Sequence, residues 1–353
     1  MADDLDWLLA PTPSDLDAAH ATPVTVITGF LGAGKTTLVN RILSEQHGLR
    51  IAVIVNDFGE VNIDSELILG VQGATVSLAN GCICCQVRDD LIAAIRSILR
   101  QDDALDAIVI EASGVAEPAG IARTFVTSLD PGLAPLDAIV AVVDAEQLPA
   151  QADDPVTADL VFGQIGYSDL VVLNKIDLAD RRRVGDVRRF VMERLPGVRI
   201  VETTFAEVPY EVLVSPRTDS GSVVARPFDS HPDSDSHPDS ERGHEHRFVS
   251  WVYRRDGGYD TTAVLRAIAQ MPPSVFRIKG FLYDPNDPDR RQLVQAVGMR
   301  GDVHPLGPWI DGRRETVLVI VADRDHIDRR DVNARLDACL AAPAAQRRPG
   351  VEC

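Results

Sequence analysis

Residues 24–37 read VTVITGFLGAGKTT. The run 24–28 is apolar and rich in β-branched residues, as a buried strand is. The next eight residues, GFLGAGKT (29–36), fit the spacing G-x-x-x-x-G-K-[ST]. That spacing marks a phosphate cradle only between a strand and a helix, and a helix is expected near 35–46. Gly29, Gly32 and Gly34 let backbone N–H groups turn toward phosphate oxygens, Ala33 and Thr37 complete the binding stretch, and the helix N-terminus adds favourable potential. Lys35 is expected to reach the β- and γ-phosphates and Thr36 to place its hydroxyl on Mg²⁺.

Outward from this stretch, short apolar runs alternate with helical ones. Strands are predicted at 51–56, 74–78, 107–112, 137–144, 169–174 and 198–203, and helices near 88–100, 118–128, 157–165 and 184–194. Continuous apolar strands alternating with helices predict a mostly parallel sheet covered on both faces, the α/β architecture of a P-loop NTPase. A Ser/Asp/Pro/His-rich segment then breaks the rhythm, with DSHPDS at 229–234 repeated at 235–240. It reads as a tether. Beyond it HRFVSWVYR, a helix near 261–270, FRIKGFLY, RQLVQAVG, ETVLVIVA and a helix near 328–341 predict a smaller α+β domain. The expected organisation is a disordered acidic tail (1–21), a P-loop domain (22–212), a flexible linker (213–246), a C-terminal α+β domain (247–342) and a second tail (343–353).

Composition excludes several classes. A formal net charge of −18 over 353 residues disfavours nucleic acid and membrane surfaces, which are polyanionic, as partners. No run reaches the roughly 18 apolar residues a membrane helix needs. The N-terminus is acidic and lacks the basic start of a secretory signal, so a cytoplasmic location with reduced thiols is expected. Only 3 lysines stand against 32 arginines. Lysine should persist where a compact ammonium on a flexible stem does what guanidinium cannot. Lys35 lies in the phosphate loop, and Lys175 lies in NKID (174–177).

NKID closes the apolar strand DLVVL. Asp177 can accept from guanine N1–H and from its exocyclic amine, whereas adenine offers a lone pair at N1 and no such amine. The wrong base would leave buried polar groups unpaired, so the preference for GTP should be strong. Asn174 is expected to brace the loop and touch the base edge, with the Lys175 stem along the purine face. Between these anchors, Glu111 in EASGVAEP (111–118) could hold Mg²⁺ through water, and the Gly114 amide could read the γ-phosphate. The loop VNDFGEVNID (55–64) has the glycine and acids of a second responsive segment. Lys35, Thr36 and Glu111 form the candidate catalytic set.

A separate signal is GCICC (81–85), which places Cys82, Cys84 and Cys85 in four positions of a predicted loop. A disulfide between adjacent cysteines would be strained and unsuited to the compartment. A catalytic thiol normally works with a histidine base, and none stands out nearby. A metal site uses all three sulfurs, with the following helix N-terminus favouring thiolates; Zn²⁺ suits them, and Co²⁺ becomes an option with added O or N donors. Inert buried thiols and thiol redox remain the other readings.

Taken together, GFLGAGKTTL, VNDFGEVNID, GCICC, EASGVAEP, LNKID and the downstream RIKGFL resemble the CobW-type GTPases, a family of GTP-dependent metallochaperones. The likeness is strongest over 23–210 and weaker over 247–325. It implies a slow GTPase whose cysteines bind zinc, or cobalt, beside nucleotide-responsive loops and release the ion to a client apo-metalloprotein. It makes Asp57 and Glu60 extra oxygen ligands or loop sensors, and it raises weak metal capture by His231, His237, His244 and His246 as the alternative to a solvated tether. Cobalt delivery in cobalamin biosynthesis is the competing role within the family. A metal- or redox-sensing regulatory GTP-binding module is the competing role outside it.

Overall fold

The computed structural model describes residues 21–45, 47–56, 75–78, 84–101, 104–127, 133–217, 247–309 and 312–341, with backbone alone at 56, 75–78, 84–90, 126 and 127. Asp57, Glu60, Cys82, the four tether histidines, residues 1–20 of the expected N-terminal tail and the whole of the second tail therefore lie outside the described residues, while Ala21 is described and buried. The chain divides into two compact units, 1–219 and 220–353.

In the first unit the strands are β1 (Val24–Thr28), β2 (Ile51–Asn56), β3 (Thr75–Leu78), β4 (Ala107–Glu111), β5 (Leu136–Asp144), β6 (Leu170–Asn174) and β7 (Arg199–Glu202). They form one sheet in the order β3-β2-β4-β1-β5-β6-β7, and every pairing is parallel. The helices are α1 (Lys35–Ser44), α2 (Cys84–Gln101), α3 (Pro118–Thr127), α4 (Leu148–Asp153), α5 (Ala158–Gly166), α6 (Arg181–Arg194) and the single turn α7 (Tyr210–Leu213). Parallel strands need crossovers, and the described helices cover both faces of the sheet. All five residues of β1, of β4 and of β6 are accordingly buried.

Two apolar layers hold the sheet. In one, Leu91, Ala94, Ile95 and Ile98 of α2, spaced as one helical face, pack with Ile121 and Phe125 of α3 against Val24, Val26, Ile54, Ile108 and Ile110. In the other, Val161 and Ile165 of α5 and Val187 and Val191 of α6 cover Ala141, Val143, Val171 and Leu173. Side-chain alternation along each strand sends neighbours to opposite layers.

The second unit is a five-stranded antiparallel sheet in the order β11-β10-β9-β12-β8. Its elements are β8 (Phe248–Arg255), α8 (Thr261–Ala269), β9 (Val275–Leu282), β10 (Arg290–Val297), β11 (Arg300–Pro308), β12 (Thr316–Asp323) and α9 (Arg329–Asp337). Strand β11, RGDVHPLGP, was not expected from the sequence. Its prolines and glycines read as a loop, yet it is an edge strand, where a missing N–H is tolerated. Asp260 and Asp328 cap α8 and α9 by accepting from Ala263 N and Arg330 N. Among the described residues no helix is long and apolar enough to cross a membrane.

The turn α7 buries Val212 and Leu213, and Thr25 Oγ1 donates to Leu213 O at 3.3 Å. Its docking confines two acids. Burial pushes the Glu211 carboxyl up to about 7, and the charge of Glu45 adds to the rise. Burial also raises Glu45, against the bond it accepts from Tyr210 N and the nearby Arg41. A carboxyl raised in the folded state binds its proton more tightly folded than unfolded, so stability falls as pH rises from the ordinary 4.5 through about 7. Glu211→Gln is therefore expected to raise the Tm at about pH 8 and to leave it unchanged at about pH 4, read by calorimetry at both.

Candidate nucleotide site

Because every strand of the first sheet runs the same way, the loops after β1, β4, β5, β6 and β7 leave along one edge, where ligands of open α/β sheets bind. The loop after β1 is the glycine stretch 29–34. Lys35 opens α1 and is buried, its Nζ donating to Phe30 O at 3.2 Å. Helix α1 has no side-chain cap, and among the described residues the N–H groups of Leu31, Gly32 and Gly34 donate to no protein group. A loop with unspent donors at an uncapped helix start is suited to an anion.

Thr36 Oγ1 donates to Glu111 Oε1 at 2.7 Å, so the two residues expected around Mg²⁺ do meet. Glu111 is 3% exposed at the end of β4. Gly114, three residues on, is buried. Among the described residues its N–H donates to no group, an orphan donor of the kind a ligand can satisfy. The oxygen donors Thr36 and Glu111 fit a hard cation.

Asn174 joins two of the loops. It is 2% exposed, its Nδ2 donates to Ala33 O at 2.9 Å, and its Oδ1 accepts from Ala206 N at 2.9 Å. Both ends of the amide are engaged by backbone, which is bracing. Gly34 allows this approach: it sits at φ 108°, and a Cβ there would lie 2.4 Å from Asn174 Nδ2.

Lys175 takes a left-handed φ of 60°, and its Nζ lies 2.8 Å from Asp144 Oδ2, off the line of a regular hydrogen bond. Asp144 Oδ1 accepts from Glu146 N and Gln147 N. Asp177 sits exposed in a short 3₁₀ turn, Ile176–Leu178, and makes no hydrogen bond or ion pair among the described residues. Its carboxylate is open to a ligand.

From the sequence, Asp144 at the end of AVVD is a candidate of the same standing as the acids in the loops after β2 and β4, with an N-capping role as the alternative, and the loop after β7 carries no signal. Asp144 stands opposite Asn174 in the β5–β6 register, which is what brings it to Lys175. In the missed loop Phe205 and Ala206 both hold positive φ, 49° and 55°, and Phe205 is 69% exposed. Consecutive left-handed non-glycine residues are strained and concentrate at functional sites.

The thiol stretch needs a correction. Its cysteines were expected in a loop ahead of a helix near 88, but α2 begins at Cys84, so the backbone of Cys84 and Cys85 is helical. Nothing in CCQV breaks a helix, and apolar spacing alone places a start too late. Among the described residues no cluster of three or more His, Cys, Asp or Glu is placed to hold a metal ion. Cys339 is buried in the second core.

These features define a P-loop nucleotide-binding protein. Residues 23–201 match the model of the CobW/HypB/UreG nucleotide-binding domain, and 248–340 match the cobalamin synthesis protein cobW C-terminal domain. The chain belongs to the CobW family. It is 34% identical to zinc chaperone CobW of Pseudomonas aeruginosa, covering 90% of this chain and 92% of that one. Zinc-regulated GTPase metalloprotein activator 1 of Dictyostelium discoideum is 30% identical over 82% of this chain and 68% of its own. Zinc chaperone YjiA of Escherichia coli is 30% identical over 84% and 93%.

Removing the brace should be costly. Asn174→Ala leaves Ala33 O and Ala206 N without their partner, and a loss of about 2–4 kcal/mol in unfolding free energy is expected, read by urea denaturation of the nucleotide-free protein.

Proposed function

We propose that the chain is a GTP-binding, GTP-hydrolysing metallochaperone that carries zinc and hands it to a client apo-metalloprotein in the cytoplasm. The observation that carries the nucleotide half is the Asn174 amide, which ties the phosphate loop to the NKID loop at Ala33 and Ala206. One rigid unit then presents the phosphate cradle and the open Asp177 carboxylate. Gly29, Gly32, Ala33, Gly34, Lys35, Thr36, Thr37 and Gly114 would bind the phosphates, and Asn174, Lys175 and Asp177 would select guanine. Zinc as the cargo is supported by the names of the relatives.

Thr36 and Glu111 would hold Mg²⁺, which when bound supplies charge neutralisation for the terminal phosphate. The chain's own work is to fix the phosphate with Lys35 and with backbone N–H groups, Gly114 included. Cys82, Cys84 and Cys85 would grip the zinc ion as thiolates, Cys84 and Cys85 from the first turn of α2, where the helix N-terminus favours the ionised form. Asp57 and Glu60 remain candidate oxygen ligands. The expected linker 213–246 begins later than the sequence suggests, since Leu213, Val214 and Ser215 are buried and Ser215 N donates to Asp137 Oδ2 at 3.1 Å; the residues beyond 217 would tether the P-loop domain (22–212) to the C-terminal domain (247–342). A terminal phosphate that changes loop positions must change metal affinity too.

Two measurements test this reading. With Mg²⁺ and a non-hydrolysable GTP analogue, a chelator competition should give at least about tenfold tighter Zn²⁺ binding than with GDP, a coupling of ordinary size. The Cys82→Ala, Cys84→Ala double variant should abolish the difference. Equal affinities in the two nucleotide states would remove the carrier role. For the base, Asp177→Asn should shift preference toward xanthine nucleotides, and unaltered GTP selectivity would sink the assignment of Asp177.

A further inference from the structure

Helix α5 buries Val161, Gln164 and Ile165 as one face. Two of these belong to the apolar layer under the sheet. Gln164 does not suit that layer by chemistry, and at 1% exposure it has no solvent to bond. Its Nε2 instead donates to Gly114 O at 3.0 Å and to Ala116 O at 3.2 Å. Both donors of one buried amide are thus spent on the backbone of one loop, the one that follows β4.

That loop is already folded on itself. Ala116 N donates to Ser113 O at 2.9 Å, closing a turn over 113–116, and Val115 N reaches Ser113 Oγ at 3.5 Å. The turn is entered from Ala112, which is buried and tied to β1 by its N–H on Ile27 O at 2.9 Å, but Val115 within the turn and Glu117 after it are exposed. Gln164 anchors this outer part by gripping the carbonyls at both ends of the Val115 step. The Gly114 N–H is left over, with no partner among the described residues. The turn also presses on the phosphate loop: a Cβ at Gly114 would lie 2.9 Å from Leu31 N. Displacing it would shift Gly114 against the cradle.

We propose that Gln164 is a positioning residue for the terminal phosphate: through the Gly114 and Ala116 carbonyls it fixes the Gly114 N–H at the place where a nucleoside triphosphate, but not a diphosphate, has an oxygen to accept it. Gln164 itself touches no ligand in this arrangement, because it is buried and its donors are consumed. It therefore differs from a glutamine that orients the attacking water, which must reach the reacting atoms. A core residue alone could be Leu or Met at this position. The two carbonyls are what require an amide, because buried acceptors without donors cost more than a neutral hydrogen bond returns.

The inference rests on the GTPase reading above, and the experiment separates the two. The full chain and its Gln164→Met variant, which keeps length and loses both donors, are compared for affinity to GDP, affinity to a non-hydrolysable GTP analogue, and kcat for GTP. A positioning role lowers analogue affinity and kcat by about 30-fold each, the size two neutral hydrogen bonds supply, and leaves GDP affinity unchanged. Equal weakening of GDP and analogue would make Gln164 a plain core residue and overturn the proposal, as would no change in either. If Gln164→Met does not fold, Gln164→Asn, which keeps the amide on a stem one methylene shorter, must show a smaller loss confined to the triphosphate. Absence of triphosphate preference and hydrolysis in the wild-type chain would instead sink the GTPase reading, and the positioning role with it.

Discussion

A parallel sheet delivers all its C-terminal strand ends to one edge, and every feature of the candidate site follows from that constraint. The phosphate loop leaves β1, the acid Glu111 ends β4, Asp144 ends β5 and Asn174 ends β6, so chemistry spread over some 150 positions of sequence is gathered on adjacent strands. Gathering has a consequence. Loops packed side by side bring backbone N–H and C=O groups together out of water, and each needs a partner. Neutral amides from neighbouring elements meet that need at two points, Asn174 for the loops after β1 and β7, and Gln164 for the loop after β4.

Amides suit this work better than charges would. A neutral amide both donates and accepts, and it adds no net charge at a cradle meant for phosphate. One charge pair is compensated locally: Lys175 is matched with Asp144, whose other oxygen is held by two backbone N–H groups. Asp177 by contrast is exposed and makes no hydrogen bond or ion pair among the described residues. A carboxylate left open at the rim can still gain from a base that offers two donors.

Much of this was legible in the sequence, and the failures have physical reasons. Local signals carried far: the strand-loop-helix around GFLGAGKT, the apolar run ending in NKID, and the alternation that predicts a parallel sheet all depend on neighbours in sequence. The Thr36–Glu111 contact followed from them, because β1 and β4 are paired. What stayed hidden depends on neighbours in space. Lys175 finds Asp144 only because β5 and β6 pair in the register that sets Asp144 against Asn174. Asn174 finds Ala206 only because β7 follows β6 in the sheet. Gln164 did leave a trace, a single amide on the buried stripe of ADLVFGQIG, but its target lies 50 residues away. The early start of α2 and the strand β11 failed differently: cysteines carry little helical pattern, and an edge strand accepts the very residues that signal a loop.

The supports also differ in stiffness, and this bears on how a nucleotide state could be communicated. Asn174 binds two loops to each other from a buried position, so the cradle and the NKID loop are fixed as one body. The turn 113–116 is held by the Gln164 side chain and, just before it, by Ala112 N on Ile27 O at 2.9 Å, while Val115 within it and Glu117 after it are exposed. The two Gln164 bonds, of roughly 1 kcal/mol each, oppose movement of that turn. Any effect of the triphosphate on an ion elsewhere is bounded by the difference in binding free energy between the turn's two positions. Under the proposed coupling, reciprocity would constrain the metal as well: whatever factor the triphosphate added to its affinity, the metal would add to the triphosphate's.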